Sequence, residues 1–179
     1  MQAQDIIHFW FTELTDKQHF VKDPALDAMM ARRFGQTLQA AARCELFHWR
    51  SSAEGRLAEI IVLDQFSRNI HRDTPAAFAQ DPLALLLAQE LVGGGHDKAL
   101  PIAQQRLAYL PFMHSESLVI HAQAVLLFSQ PVLETNLDFE LRHQAIIERF
   151  GRYPHRNDIL GRSTSAAETA FLSEPGSSF

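Results

Sequence analysis

Apolar residues return along this chain at i, i+3, i+4 and i+7 over long windows, and no segment sustains the two-residue alternation of a half-buried strand. Only a helix gathers such positions onto one side, so the pattern confines the chain to all-α packing. The first stripe begins near Asp5 with Ile6, Ile7, Phe9, Trp10 and Leu14. Asp23-Pro24, a cap followed by proline at the first helical position, opens a second with Leu26, Met29, Met30, Leu38 and Ala41, ending near Cys44 to Phe47. Ser51 and Glu54 have capping-box spacing ahead of Leu57, Ile60, Ile61 and Leu63, which predicts a third helix to about Ser67.

Thr74-Pro75 and Asp81-Pro82 repeat the cap-then-proline signal, and the second leads into Leu83, Leu86, Leu87 and Leu91 before Gly93-Gly94-Gly95 stops it. That glycine run lacks the spacing of a phosphate-binding loop. Further helices are expected from Ile102 to Tyr109, ending before Pro111, from about Ser115 to Phe128 and from about Asn136 to Phe150. Ser165 and Glu168 form a second capping box that starts a short terminal helix with Phe171 and Leu172. The expectation is an irregular array of about eight antiparallel helices in one domain, 1–179, without glycine- or serine-rich linkers.

At 179 residues, 46% of them apolar, the chain can bury roughly two thirds of its unfolded surface and needs neither disulfide nor metal to form a core. Cys44 is its single cysteine, and no basic residue precedes the first apolar stretch, so a cytoplasmic location is expected. The longest purely apolar run, Leu83 to Ala88, is far below the ~20 residues that span a bilayer, so no membrane role is expected. Sixteen Lys and Arg against 21 Asp and Glu give a net charge of −5, which disfavours nucleic acid as a partner.

Against that acidic balance, Arg142, Arg149, Arg152, Arg156 and Arg162 stand in one window with only Glu148 and Asp158. Guanidinium forks suit carboxylate and phosphate, so the window suits an anion site; equally, arginines near helix ends satisfy terminal carbonyls and pair with carboxylates. His143 shares a stripe with Ile146, Ile147 and Phe150, and His114 and His121 are read onto one face of the preceding helix with Leu118 and Val125. Two helices that each turn histidine inward imply a polar pocket or a closed hydrogen-bond network. His114 and His121 are about 10 Å apart along a helix, too far to share an ion held at ~2 Å. Glu45 to His48 and Glu140 to His143 are Glu-x-x-His motifs without the further glutamates of a di-metal site, so no metal or other cofactor is expected.

The strings Leu63-Asp64-Gln65-Phe66-Ser67-Arg68-Asn69-Ile70, Tyr109-Leu110-Pro111-Phe112-Met113-His114-Ser115-Glu116 and Arg149-Phe150-Gly151-Arg152-Tyr153-Pro154-His155-Arg156-Asn157 resemble the signatures of a bacterial family named domain of unknown function 924. Leu160-Gly161-Arg162 and the closing Pro175-Gly176-Ser177-Ser178-Phe179 extend the resemblance over nearly the whole chain. It implies an all-helical, tetratricopeptide-like superhelical arrangement in a cytoplasmic bacterial protein, and no reaction. The family pattern usually has proline at Ser67, glutamine at His121 and an aromatic at His71, so His121 stays outside the main site set.

The recurring polar residues fall here on Arg68, Asn69, His114, Glu116, His143, Arg149, Arg152, His155, Arg156, Asn157 and Arg162. Their convergence into one pocket for a small anion is the leading expectation: Arg68, Asn69, Arg149, Arg152, His155, Arg156, Asn157 and Arg162 as ligand-binding groups, with His114, Glu116 and His143 as candidates for acid–base chemistry should turnover occur. The rival is a non-catalytic helical-repeat scaffold that binds a peptide or protein, in which the same residues lock helices together. Arginines paired to carboxylates favour the rival.

Overall fold

The computed structural model describes residues 1–19 and 21–177, so the last string of the resemblance runs at Ser178 and Phe179 outside the described residues. Among these the regular structure is helical throughout. It comprises α1 (Ala3–His8), α2 (Pro24–Ala42), α3 (Ala53–Ile61), α4 (Ser67–Ile70), α5 (Asp81–Gly93), α6 (Ile102–Met113), α7 (Leu118–Phe128), α8 (Glu134–Phe150) and α9 (Ala166–Leu172). None of these helices is long and apolar enough to cross a membrane.

The chain divides into two compact units, one of Met1–Arg72 with Ala76–Pro111, the other of Asp73–Pro75 with the chain from Phe112 onward. In the first, α1 and α5 pack on α3, and α2 packs on α4. Its centre is aromatic: Phe34 lies 4.6 Å from Phe9 and 4.8 Å from Phe66 between ring centroids. All three are essentially inaccessible to solvent, and burying each side chain is worth about 1.5–3 kcal/mol. The Arg33 guanidinium covers this cluster at 5.0 Å from Phe9 and 4.8 Å from Phe34 while both its ends bond Glu13.

Several boundaries differ from the periodicity. Two π turns, Phe9–Glu13 and Val62–Phe66, extend α1 and join α3 to α4, so the third helical rod runs past Ser67 to Ile70. A π turn inserts one residue and re-phases the stripe, and from Leu57 to Phe66 only Gln65 escapes burial. The cap of α3 is Ser52 rather than Ser51: its hydroxyl accepts from the Gly55 N–H at 3.1 Å. Gly55 is required there, because a Cβ would sit 1.9 Å from the Trp49 carbonyl oxygen. Asp81 is the first residue of α5, with Gln80 as its cap.

Pro111 does not end α6, which continues to Met113. Interior proline costs about 3 kcal/mol, but Phe112 and Met113 are 2% and 4% exposed, and burying two such side chains offsets that cost. The following helix starts at Leu118, not Ser115, with Ser117 at its cap. His114 therefore precedes α7 and shares no helical face with His121.

In the second unit α7 and α8 pack along one another across residues 129–133. Ile146 and Ile147 of α8 form a small core with Tyr153, flanked by Phe150 and Phe171. Gly151 ends α8 with φ +69°, its N–H donating 2.8 Å to the Ile147 carbonyl. That left-handed residue, accessible to glycine at little cost, sends the chain back across the ends of α7 and α8. A 3-10 turn, Pro154–Arg156, and α9 follow, α9 opening on the expected Ser165–Glu168 capping box.

Candidate functional site

Tyr153, 1% exposed, is the hub of the second unit. Its ring lies 5.7 Å from the His143 ring, 5.6 Å from His155 and 6.3 Å from His121. The Arg156 guanidinium covers it at 4.7 Å and donates to the His114 carbonyl at 3.1 Å. The Tyr153 hydroxyl donates to the Met113 carbonyl, and its backbone N–H donates to Glu116 Oε1 at 2.8 Å.

Glu116 also receives both arms of Arg162, at 2.7 and 3.0 Å, and Arg162 further donates to the Tyr153 carbonyl and to Asn157 Oδ1, each at 3.0 Å. Burial pushes the Glu116 carboxyl up, but the Arg162 fork, the Tyr153 N–H and the Arg156 charge outweigh it and hold the group below its ordinary range. Asn157, fully buried, passes the chain of contacts on: its Nδ2 donates to Glu168 Oε1 at 3.2 Å. Arg152 grips Glu168 with Nε at 2.7 Å and Nη2 at 2.9 Å and bonds the Ser163 carbonyl at 2.8 Å. Those bonds from Arg152, with the Ser165 N–H, keep the Glu168 carboxyl well below the usual carboxylate range.

The histidines of α7 and α8 both face inward, as the stripes imply. His143 Nδ1 donates to the Phe139 carbonyl at 2.7 Å, and burial, reinforced by the neighbouring His114, His121 and His155, lowers its pKa to about 3. At neutral pH it is an uncharged imidazole. His121 has Nδ1 at 2.6 Å from Glu140 Oε1 and Nε2 at 2.8 Å from the Ser115 carbonyl. Glu140 is fully buried, its Oε2 has no hydrogen-bond partner among the described residues, and burial raises its pKa despite His121.

Eight of the sequence-derived candidates thus gather in the second unit: His114, Glu116, His143, Arg152, His155, Arg156, Asn157 and Arg162. Arg149 is there too, but its guanidinium lies over Phe150 at 4.7 Å and Phe171 at 5.6 Å instead of joining the network. Arg68 and Asn69 belong to the first unit and are engaged within it. Arg68 forks onto Asp81 at 2.9 and 3.1 Å and meets Asp64 at 2.9 Å. Asn69 donates to Asp27 at 2.8 Å beside Arg72. Tyr153, Glu140 and Glu168 are the members that sequence reasoning did not assign to the site. Among the described residues no group of three or more His, Cys, Asp or Glu could hold a metal ion.

The network is built from the same residues that carry the signature strings, and the sequence matches a family described as bacterial protein of unknown function, DUF924, over residues 6–176. The chain belongs to that family. A solved structure of a protein of unknown function from Agrobacterium tumefaciens is 41% identical, and the match covers 96% of each chain with a TM-score of 0.90. None of the curated proteins matches. DUF924 membership therefore comes with an all-helical fold and leaves the function unassigned.

One further surface stands apart. α7 carries no charged residue and is apolar nearly all round. His121, Ala124 and Phe128 are buried on one side; Val119, Ala122 and Leu126 fall on the opposite arc, with Val119 72% and Leu126 75% exposed.

Proposed function

We propose that this DUF924 chain is a non-catalytic helical scaffold, tetratricopeptide-like in kind, that binds a peptide or protein partner. The observation that carries the reading is the closure of the arginine forks: Arg162 on Glu116, Arg152 on Glu168 and Arg68 on Asp81. A guanidinium already holding a carboxylate through two bonds has its charge balanced, so it serves as a lock between segments. His143, with a pKa near 3, lies far from the near-neutral value that best suits a general acid or base, which supports the non-catalytic reading. The outer arc of α7 supplies the apolar surface that such a scaffold needs for an amphipathic segment anchored at i, i+3 and i+7 spacing.

Selection from a random peptide display library tests this. The scaffold reading predicts enriched sequences with apolar residues at helical spacing, and loss of their binding to the Val119→Asp, Leu126→Asp double variant. Equal binding to wild type and double variant would remove α7 as the docking face. Stabilisation of the wild type by a phosphorylated or carboxylated metabolite, abolished in Arg156→Ala, would favour the small-anion reading instead.

A further inference from the structure

Arg149 stands in the basic window without a carboxylate partner among the described residues. Exposed at the end of α8, it makes no hydrogen bond or ion pair among the described residues and lies flat against two aromatic rings. Those rings, Phe150 and Phe171, are 5.1 Å apart and fix the plane on which the guanidinium rests. Beside it opens a cleft of about 490 Å³ lined by Arg149, Phe150, Arg152, Ser165, Ala167 and Glu168. It is a shallow cleft largely open to solvent.

The cleft wall has a definite charge. Glu168 is satisfied on both oxygens, Oε1 by Arg152 and Asn157 and Oε2 by Arg152 and the Ser165 N–H. Arg152 uses Nε and Nη2 in doing so, and its Nη1 bonds nothing among the described residues. The Arg152–Glu168 pair is neutral as a unit, which leaves one uncompensated positive charge, Arg149, and two sets of N–H donors on the same wall. Phe150, half buried, supplies the apolar side.

We infer that this cleft binds a monoanionic carboxylate carried on an apolar or aromatic group, the carboxylate on Arg149 and the outer N–H of Arg152 and the apolar body against Phe150. One guanidinium balances one negative charge; a phosphate dianion would bring a second beside Glu168. The site is separate from the α7 face, so either assignment can fail without the other.

The test is titration of the full chain with 3-phenylpropanoate, acetate and inorganic phosphate, followed by NMR of the arginine Nε and aromatic resonances. Phenylpropanoate is expected to shift Arg149 and Phe150 and to bind at least tenfold more tightly than acetate or phosphate. Arg149→Gln should lose at least tenfold in affinity with an unchanged melting temperature, and Arg149→Lys, which keeps charge without the fork, should lose severalfold. Gly-Gly-Phe and its C-terminal amide distinguish the source: tighter binding of the free peptide acid than of phenylpropanoate identifies a chain terminus, the reverse a free metabolite. Absence of binding, equal binding to Arg149→Gln, or phosphate binding as tightly as phenylpropanoate would overturn the inference.

Discussion

His121 Nδ1 and Glu140 Oε1 lie 2.6 Å apart with both residues fully buried, and one proton must lie between them. The opposite ring nitrogen faces the Ser115 carbonyl, which can only accept, so Nε2 carries its own hydrogen. Burial raises the Glu140 pKa, and the hydrogen bond and charge of His121 oppose that rise.

This arrangement predicts an unequal response to substitution. His121→Gln keeps an amide able to hydrogen-bond both the Ser115 carbonyl and Glu140 and should lower folding stability by less than ~1 kcal/mol. His121→Ala strands both partners, at ~1–3 kcal/mol for each buried group left unsatisfied. Glu140→Gln, which keeps a hydrogen-bonding group opposite Nδ1, should cost less than Glu140→Ala. Urea melts at constant m-value give these differences, and His121→Gln as damaging as His121→Ala would refute the hydrogen-bond account.

Acid stability follows from His143. Its folded pKa, about 3, lies below the ordinary 6.5, so the unfolded chain binds the extra proton across that window. The contribution is fully present above pH 6.5 and is lost as pH falls toward 3, by about 2 kcal/mol between pH 7 and pH 5. Denaturant melts at those two pH values should show that loss in wild type and a loss smaller by about that amount in His143→Gln. A pH dependence unaffected by the substitution would contradict the buried, neutral state of His143. Glu116 and Glu168, both held below the usual carboxylate range, add a further loss only below about pH 4.5, where they protonate in the unfolded chain.

The α7 face separates binding from folding. Val119 and Leu126 are largely exposed, so Val119→Asp and Leu126→Asp should change stability by no more than ~0.5 kcal/mol each while abolishing capture of a helical peptide. A large drop in melting temperature would mean that the face is part of the fold.

Periodicity made the helices legible because it reports which side of a segment is buried: the inward His143 and His121, the Gly151 stop and the Ser165–Glu168 box are all local signals. It was blind to the π turns, which shift the stripe by one residue without any marker residue, and to the helix through Pro111, which is held by the burial of Phe112 and Met113. The candidate site was legible as a set of residue types and not as a set of pairs. Arg152 meets Glu168 across 16 residues and Arg162 meets Glu116 across 46, and nothing in a local pattern announces such partners. Tyr153 was overlooked because its role is to be surrounded; its neighbours, not its own chemistry, make it the hub.

The central claim is that the arginine–carboxylate contacts of the second unit are locks that hold the fold, and a double-mutant cycle on Glu116 and Arg162 addresses it most directly. Glu116→Gln, Arg162→Met and the double variant are compared with wild type by urea denaturation, with and without phosphate and acetate at high concentration. The account predicts that each single variant loses ~1–3 kcal/mol of folding stability, that the pair is coupled by at least ~1 kcal/mol, and that neither anion alters these values through Arg162. Single variants as stable as wild type, with no coupling and with an anion-induced stabilisation of the wild type that disappears in Arg162→Met, would contradict it.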